Sequence, residues 1–474
     1  MQCKTLAVDL DGTLIQSDML VESGFAYIKK HPHRFYRPLM WLARGGKAHL
    51  KSKLAESINV DVASLPYNGE VIAWLKRERA SGRSLVLATA SDSRYADAIS
   101  GHLGIFDKTL ATDGKTNLSA ERKRDALVRE YGNKGFDYAG NSHDDLSVWK
   151  AAERAYVVNS SKRVERKAQQ IGNVETVIDT RKSPLRMWAK ALRVHQWLKN
   201  LLIFIPLLAS HQVSSIFLDL RGMLAFLLFG LCASSVYLLN DLLDLDDDRH
   251  HPTKRRRPFA SGALSIVWGV AAFPVLAFGA FAGALLWLPL RFAGVLAGYY
   301  VLTMAYSFLL KRRVMLDVVV LAMLYTARII AGTAAFGMPL TFWLLAFSMF
   351  LFLSLALVKR YAELHATRAA GGAKARGRGY VADDLSMIAP LGAASGYLSV
   401  LVLAMYIQDG NTMHLYRYPQ VIWLACPLLL YWISRTWLIT HRGLMHDDPV
   451  VFAAKDRVSL VTVALVGIVF WLAI

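Results

Sequence analysis

Leu238-Leu239-Asn240-Asp241-Leu242-Leu243-Asp244-Leu245-Asp246-Asp247-Asp248-Arg249 closes an apolar run that begins near residue 222. An apolar run of about 18 residues is what a helix needs to cross a bilayer, so the acidic residues stand at the end of a predicted span. Asn240, Asp244 and Asp248 are spaced i, i+4, i+8 and share one helical face, with Asp241 close beside it. Carboxylates stacked this way repel one another unless a cation binds. Oxygen ligands in this number suit Mg²⁺ that also holds a diphosphate. His251-Pro252-Thr253-Lys254-Arg255-Arg256-Arg257-Pro258 follows, and Lys254 and Arg257 can reach the same anion. A solvated juxtamembrane charge run would explain the basic half but not the regular acidic spacing.

Working outward, apolar runs recur from about Ser183 onward. Candidate spans lie near 198–216, 222–239, 266–287, 292–310, 316–336, 342–358, 389–407, 419–438 and 458–474, nine in all, the first interrupted by His211 and Gln212. The composition agrees: of 474 residues 54% are hydrophobic and 19% charged, with mean hydropathy +0.31, against roughly 25% charged in a soluble chain. The net charge of +19 would point to nucleic acid in a soluble protein. In a membrane protein it belongs first to cytoplasmic loops, and no nucleic-acid partner is expected. With the N-terminal part cytoplasmic, the inner connectors carry 18 Lys/Arg and the outer ones three (Arg221, Arg291, Arg417). Nine spans then place Ile474 on the opposite face of the inner membrane. Leu364–Gly379 is rich in Gly, Ala and Arg and reads as a solvated loop. Cys3, Cys232 and Cys426 have no metal-ligand spacing.

Residues 1–182 lack such runs, and the first residues lack a signal peptide's basic flank and cleavage site. Lys4–Leu10 reads as a buried strand from which Asp9-Leu10-Asp11-Gly12-Thr13 emerges. Ligands bind at that end of an open α/β sheet. Of two carboxylates at i and i+2, one can attack phosphorus and the other can donate a proton to the leaving oxygen. A second strand, Ser84–Ala88, ends in Thr89-Ala90-Ser91, whose hydroxyls can bind phosphate oxygens, and Lys123 can neutralise phosphate charge. A third strand, Phe136–Ala139, ends in Gly140-Asn141-Ser142-His143-Asp144-Asp145, an acidic loop suited to Mg²⁺.

Over residues 1–180 the chain resembles the haloacid-dehalogenase-like phosphohydrolases. The resemblance implies a Rossmann-like α/β domain with a helical cap from about Ile15 to Pro66. It makes Asp9 the nucleophile, Asp11 the acid/base, Thr89 the phosphate-binding hydroxyl and Lys123 the charge stabiliser, with Asp9, Asp11 and Asp145 at the metal. The family's acidic loop offers carboxylates at i and i+4; here the first is Asn141, one negative charge fewer. The basic insert carries Phe35, Tyr36 and Trp41 and reads either as a solvated face or as a contact with anionic membrane.

Over residues 183–474 the chain resembles the UbiA superfamily of intramembrane prenyltransferases, on NDxxDxxxDR followed by HPxKxxRP. The resemblance implies an all-helical polytopic bundle and Mg²⁺ on Asn240, Asp241, Asp244 and Asp248. Where many members carry a second acidic motif, this chain has Lys359-Arg360-Tyr361-Ala362-Glu363. With His195-Gln196-Trp197-Leu198-Lys199-Asn200 before the first span, it looks like the decaprenyl-phosphate phosphoribosyltransferase branch. That implies 5-phosphoribosyl diphosphate as donor and polyprenyl phosphate as acceptor, with Lys199, Asn200, Lys254, Arg257, Tyr306, Lys311, Lys359, Arg360 and Glu363 in substrate contact. A more basic half-site makes sense where several phosphates must be held. The alternative is a UbiA-type transferase joining a prenyl diphosphate to a small aromatic acceptor. A channel with a regulatory domain would explain the spans but not the acidic face. CDP-alcohol phosphotransferases would need a DGxxAR element, which is absent. Asp317 and Arg328, inside one span, read as functional intramembrane charges or as a structural pair.

Overall fold

The computed structural model describes residues 4–113, 117–210, 216–372, 379–409, 415–445 and 448–474. His211, Gln212, Lys374, Arg376 and Arg378 lie outside them. Two compact units emerge: Met1–Leu192 with Leu238–Ala272, and Arg193–Tyr237 with Phe273–Ile474. The sequence led us to expect a single division at residue 182/183. Instead the acidic run and its basic tail pack with the N-terminal residues, through ion pairs described below.

In the first unit six strands form one parallel sheet: β1 (Thr5–Val8), β2 (Leu85–Asp92), β3 (Lys108–Thr112), β4 (Phe136–Gly140), β5 (Ala155–Val158) and β6 (Val174–Ile178). Their order is β3-β2-β1-β4-β5-β6. A parallel sheet is covered on both faces, and the side-chain period of two shows it. Leu6, Val8, Leu85 and Leu87 enter one core cluster, while Ala7, Val86 and Ala88 enter the other. Strand order reverses between β1 and β4, and that crevice is where a doubly wound sheet binds ligands. Helices α1 (Met19–Lys30), α2 (Arg37–Ser57) and α3 (Gly69–Ala80) connect β1 to β2, followed by α4 (Ser93–Leu103) and, before β4, α5 (Ala120–Tyr131). The first two helices are the expected insert. Its ends are tied together, with Gln16 N–H donating to the Pro66 carbonyl (2.8 Å) and Asn68 N–H to that of Leu14 (2.9 Å).

The membrane part is helical. Among the described residues six helices are long and apolar enough to cross a bilayer: Leu218–Leu243, Ile266–Trp287, Leu316–Phe336, Phe342–Ala369, Ala382–Ile407 and Pro419–His441. The expected count of nine is therefore not met by length and hydropathy. The described part of the 198–216 segment, to residue 210, is a 3₁₀ stretch, Val194–Phe204, joined to a five-residue helix, Ile205–Ala209. The last segment, Arg457–Ala473, has 17 residues, and Leu290–Phe308 is diluted by Arg291, Tyr299, Tyr300 and Ser307. The predicted loop from Leu364 is helical as far as Ala369. Within the second unit small residues let helices approach, as in membranes generally. A side chain on Gly392 would overlap the Trp437 ring, whose Nε1 donates to Ser354 Oγ (3.1 Å) while Ser354 donates to the Gly392 carbonyl (2.7 Å).

Candidate active sites

Asp9 leaves β1 with its N–H bonded to the Ala139 carbonyl of β4 (2.9 Å), which places its side chain at the switch point. Lys123 of α5 donates to Asp9 Oδ1 (2.7 Å) and accompanies the Tyr138 hydroxyl (2.9 Å). Tyr138 donates in turn to Asp145 Oδ1 (2.7 Å). Asp145 Oδ2 accepts from Asn141 N–H (3.0 Å), Ser142 N–H (2.9 Å) and Ser142 Oγ (3.0 Å). Asp11 accepts from Met19 N–H at the start of α1 (2.8 Å) and from Ser91 Oγ (2.8 Å). Gly12 has φ +74, and a Cβ there would overlap the Asn141 amide, so only glycine lets the two loops meet.

Burial pushes the Asp9 carboxyl up to about 7 against the pull of Lys123, with Asp145 and Asp11 adding to the rise. Burial likewise lifts Asp11 to about 6, with Asp18 adding to the rise. Burial works upward on Asp145 too, but Lys123, Tyr138 and the loop N–H donors hold it below the usual carboxylate range. Asp11 thus sits where a proton donor near neutral pH belongs, and Asp145 stays ionised to anchor its loop.

The cavity here has a volume of about 500 Å³ and is lined by Asp9, Asp11, Lys51, Lys123, Asn141 and Ser265, among others. Thr89 does not line it. That side chain is fully buried, its hydroxyl oxygen accepts the Ser91 N–H (3.0 Å), and Ala90 takes the wall. Asp145 also departs from expectation, because both its oxygens are engaged by the protein. Among the residues lining the cavity, Asn141 Oδ1 is a buried oxygen with no hydrogen-bond partner. Asp9 and Asn141 are therefore the oxygen donors that fit a divalent cation here. Lys51, absent from the sequence reading, donates to the Ala90 carbonyl (2.6 Å) and has its pKa lowered by burial. Its signal was present: Lys47 and Lys51 lie one helical turn apart and both line the cavity.

In the acidic run the helical face persists although the helix pauses at Asp244. Asp244 N–H bonds the Asn240 carbonyl (2.9 Å) and Asp248 N–H that of Asp244 (2.8 Å). Asp241 and Asp248, both buried, converge on Arg257 Nη1 at 3.0 and 2.7 Å. Two carboxylates aimed at one cationic atom are a donor set that fits Mg²⁺, which typically takes one or two carboxylates and completes its shell with water and substrate phosphate. Among the described residues no three His, Cys, Asp or Glu side chains form a metal cage by themselves. Asn240 and Asp244 are half-buried and Lys254 is exposed. Arg249 is taken by the cap: its guanidinium donates to Glu22 Oε1 (2.6 Å) and Oε2 (3.0 Å). Lys29–Asp246 (2.8 Å) and His250–Asp61 (2.9 Å) reinforce that contact.

In the second unit Lys199 and Lys359 both reach Asp448 Oδ2, at 2.8 and 3.1 Å, and Tyr325 donates to the same carboxylate (3.0 Å). Two ammonium groups and a phenol around a carboxylate are also the donors a phosphate group needs. Asp448, isolated in a connector, and Tyr325, one aromatic inside the apolar helix Leu316–Phe336, were missed because neither has a spacing signal. Arg328 donates to Asn200 Oδ1 (3.1 Å) and to the Tyr299 hydroxyl (3.2 Å). Arg360 corrects the expectation of substrate contact. It is 0% exposed, its Nη2 is 2.6 Å from Asp317 Oδ2, and it pairs with Glu363. Asp317 also accepts from the Tyr380 hydroxyl (2.6 Å). Arg360 is thus engaged within the bundle, Glu363 beside it is 40% exposed, and Asp317 pairs with Arg360 rather than Arg328. Tyr306 and Lys311 are half-buried near the end of Leu290–Phe308.

The model of the UbiA prenyltransferase family matches residues 201–454, more than half of the chain. The chain belongs to that family. Over 474 residues it is 38% identical to an uncharacterized protein of Sinorhizobium fredii, covering 99% of this chain and 90% of the other. It is 32% identical over 288 residues to the decaprenyl-phosphate phosphoribosyltransferase of Mycobacterium tuberculosis, covering 59% of this chain and 92% of that enzyme. A solved phosphoserine phosphatase, in a phospho-aspartyl intermediate analogue, aligns with 39% of this chain and 97% of its own at 14% identity and TM-score 0.27. As a UbiA-family chain with several apolar helices of spanning length, this is a multi-pass membrane transferase, joined to an α/β unit with a parallel sheet.

Proposed function

We propose that the UbiA region transfers 5-phosphoribose from 5-phosphoribosyl diphosphate to a polyprenyl phosphate, and that the N-terminal site removes the 5-phosphate from the product. In the transfer the C1–O bond to diphosphate breaks and a lipid-phosphate oxygen bonds to C1. Mg²⁺, when bound, supplies charge neutralisation of the departing diphosphate. Asp241 and Asp248, with Asn240 and Asp244 on the same face, would hold it. Lys254 and Arg257 lie next to that face in the chain and would neutralise further phosphate charge. The observation that carries this reading is the Lys199–Lys359 pair. It is a cationic half-site for phosphate in a chain whose Lys359 stands where a prenyl-diphosphate enzyme would place a second acidic motif. The similarity to a phosphoribosyltransferase supports it.

In the N-terminal site Asp9 attacks the phosphorus while Asp11 gives a proton to the departing sugar oxygen. Water then cleaves the aspartyl phosphate, with Asp11 taking its proton back. Lys123 and Lys51 hold the phosphoryl charge, and Asn141 and Asp9 would ligate Mg²⁺. Ser265, on the cavity wall, immediately precedes the apolar helix Ile266–Trp287, which suits a phosphate borne by a lipid. The working orientation has the N-terminal unit on the cytoplasmic side of the inner membrane.

The decisive experiment supplies membranes with labelled 5-phosphoribosyl diphosphate and polyprenyl phosphate and looks for a labelled lipid, first as the 5-phosphate and then without it. A wild-type protein that consumes a prenyl diphosphate and ignores 5-phosphoribosyl diphosphate would overturn the assignment and restore the prenyl-transfer reading.

A further inference from the structure

The cap carries a surface that neither reaction uses. From Gly24 to Ala55 the chain has eight Lys/Arg and no acidic residue. Within that stretch Phe35, Tyr36, Leu39, Met40 and Leu42 are all exposed, Phe35 at 62% and Leu39 at 67%. Helix α2 is fixed from its other side, where the Trp41 ring packs edge-on against Tyr27 with centroids 5.1 Å apart. The outward apolar residues are therefore not a frayed end but the free face of a held helix. Arg34 and Arg44, also exposed, flank them.

We infer that this face, Phe35 to Leu42 of the cap, inserts into the headgroup boundary of an anionic bilayer. Three observations favour lipid. Large apolar side chains ringed by Lys and Arg are the composition of an interfacial helix. Arg34, Arg37 and Arg44 around these side chains, with no acidic residue between Gly24 and Ala55, attract an anionic surface, whereas a second copy of the same face would meet like charge. The third is position. Lys29 pairs with Asp246 at 2.8 Å, only three residues beyond Leu243, where the apolar helix ends. Through Lys29 the cap is thus tied to the chain just beyond the end of an apolar helix. Helix α2 is interrupted at Gly45 and Gly46, the latter at φ +67. That break separates the lipid-facing turns from the turns carrying Lys47 and Lys51 into the hydrolase cavity. The bilayer contact holds the first half of α2, while the second half keeps Lys47 and Lys51 on the cavity wall.

The test uses the full chain without native cysteines, with Leu39→Cys bearing an environment-sensitive fluorophore, in nanodiscs of phosphatidylcholine with and without phosphatidylglycerol. Leu42→Cys replaces it if Leu39→Cys is misassembled, and Lys162→Cys, on an exposed helix, is the aqueous control. Insertion gives a blue-shifted, several-fold brighter emission than the control, quenched by brominated lipid, shielded from iodide and strengthened by phosphatidylglycerol. Phe35→Glu should reverse it. Emission equal to the control with full iodide quenching overturns the inference. So does a disulfide-linked dimer through Leu39→Cys that forms equally in both nanodiscs, which would make the face a protein interface. Either outcome leaves the transferase reading untouched.

Discussion

Replacing Arg360 and replacing Lys359 should give opposite phenotypes although the two are adjacent. Arg360 is fully buried against Asp317, also 0% exposed, with Nη2 2.6 Å from Oδ2. Arg360→Met takes the guanidinium from that carboxylate, which the Tyr380 hydroxyl still contacts at 2.6 Å. Breaking one side of a buried pair costs about 3–5 kcal/mol, a large share of the roughly 5–15 kcal/mol that holds a typical protein folded. The variant should therefore unfold at markedly lower temperature in detergent and accumulate poorly. Adding Asp317→Asn should recover most of the loss, since the buried carboxylate charge that Arg360 balanced is then gone. Lys359 is 31% exposed, and its partner Asp448 keeps Lys199 at 2.8 Å and Tyr325 at 3.0 Å. Lys359→Met should thus move stability by no more than about 1 kcal/mol but raise the KM for a phosphate-bearing substrate. Fluorescence-detected thermal unfolding and steady-state transfer kinetics read the two effects separately. An Arg360→Met protein with wild-type unfolding temperature and a raised KM would refute the structural role and return Arg360 to the substrate site.

Asp9→Asn should abolish phosphatase activity, a loss exceeding the roughly 10²–10⁴-fold worth of acid–base help alone, while lipid labelling by the transferase persists. Because burial raises Asp9 to about 7 and Asp11 to about 6, their favourable contribution is present at pH 4 and lost as pH rises through those values. Unfolding temperature without divalent cation should fall over that window, and less so in Asp9→Asn. Asp244→Ala and Asp248→Ala should each lower transfer by about 10²–10³-fold in protein that still inserts, as radiolabelled lipid would register. A C-terminal reporter should lie opposite the N-terminal unit if the helices at 194–209, 290–308 and 457–473 all cross. A reporter on the same side would mean that one does not, and 194–209, at 16 residues, falls short of the about 20 that a span needs.

The N-terminal candidate site was legible because its residues follow strands, and parallel topology gathers strand ends whatever their distance along the chain. Asp9, Asp11 and Asn141 meet for that reason. Lys51 was not, because its one-turn spacing from Lys47 marks a shared helical face but not what that face meets. Thr89 was assigned from its place at a strand end, where a one-residue difference exchanges core for cavity. Arg360 was grouped with Lys359 by adjacency, yet neighbours on a helix point in different directions, one toward Asp448 and the other into the bundle. Asp317 and Arg328 do lie on neighbouring faces, but eleven residues of helix separate them by about 16 Å along its axis. No direct pair can form across three turns, so each found a partner on another segment. The nine apolar runs were real as composition. What composition could not give is that the first of them folds as a 3₁₀ stretch and a short helix.

The two charged clusters, each within its own unit, share one electrostatic principle. Asp241 and Asp248 are balanced by Arg257, and Lys199 with Lys359 by Asp448. Buried like charges can be kept close only when an opposite charge sits between them, so each cluster carries its own internal counter-ion within reach. The two clusters have opposite polarity: one presents carboxylates that a metal–diphosphate can use, the other ammonium groups that a phosphate can use. A donor with both a diphosphate and a separate phosphate, meeting an acceptor with a phosphate of its own, needs both kinds. A prenyl diphosphate meeting an aromatic acceptor needs only the first. That asymmetry, rather than the acidic motif common to both chemistries, is why the phosphoribosyl assignment is the stronger of the two.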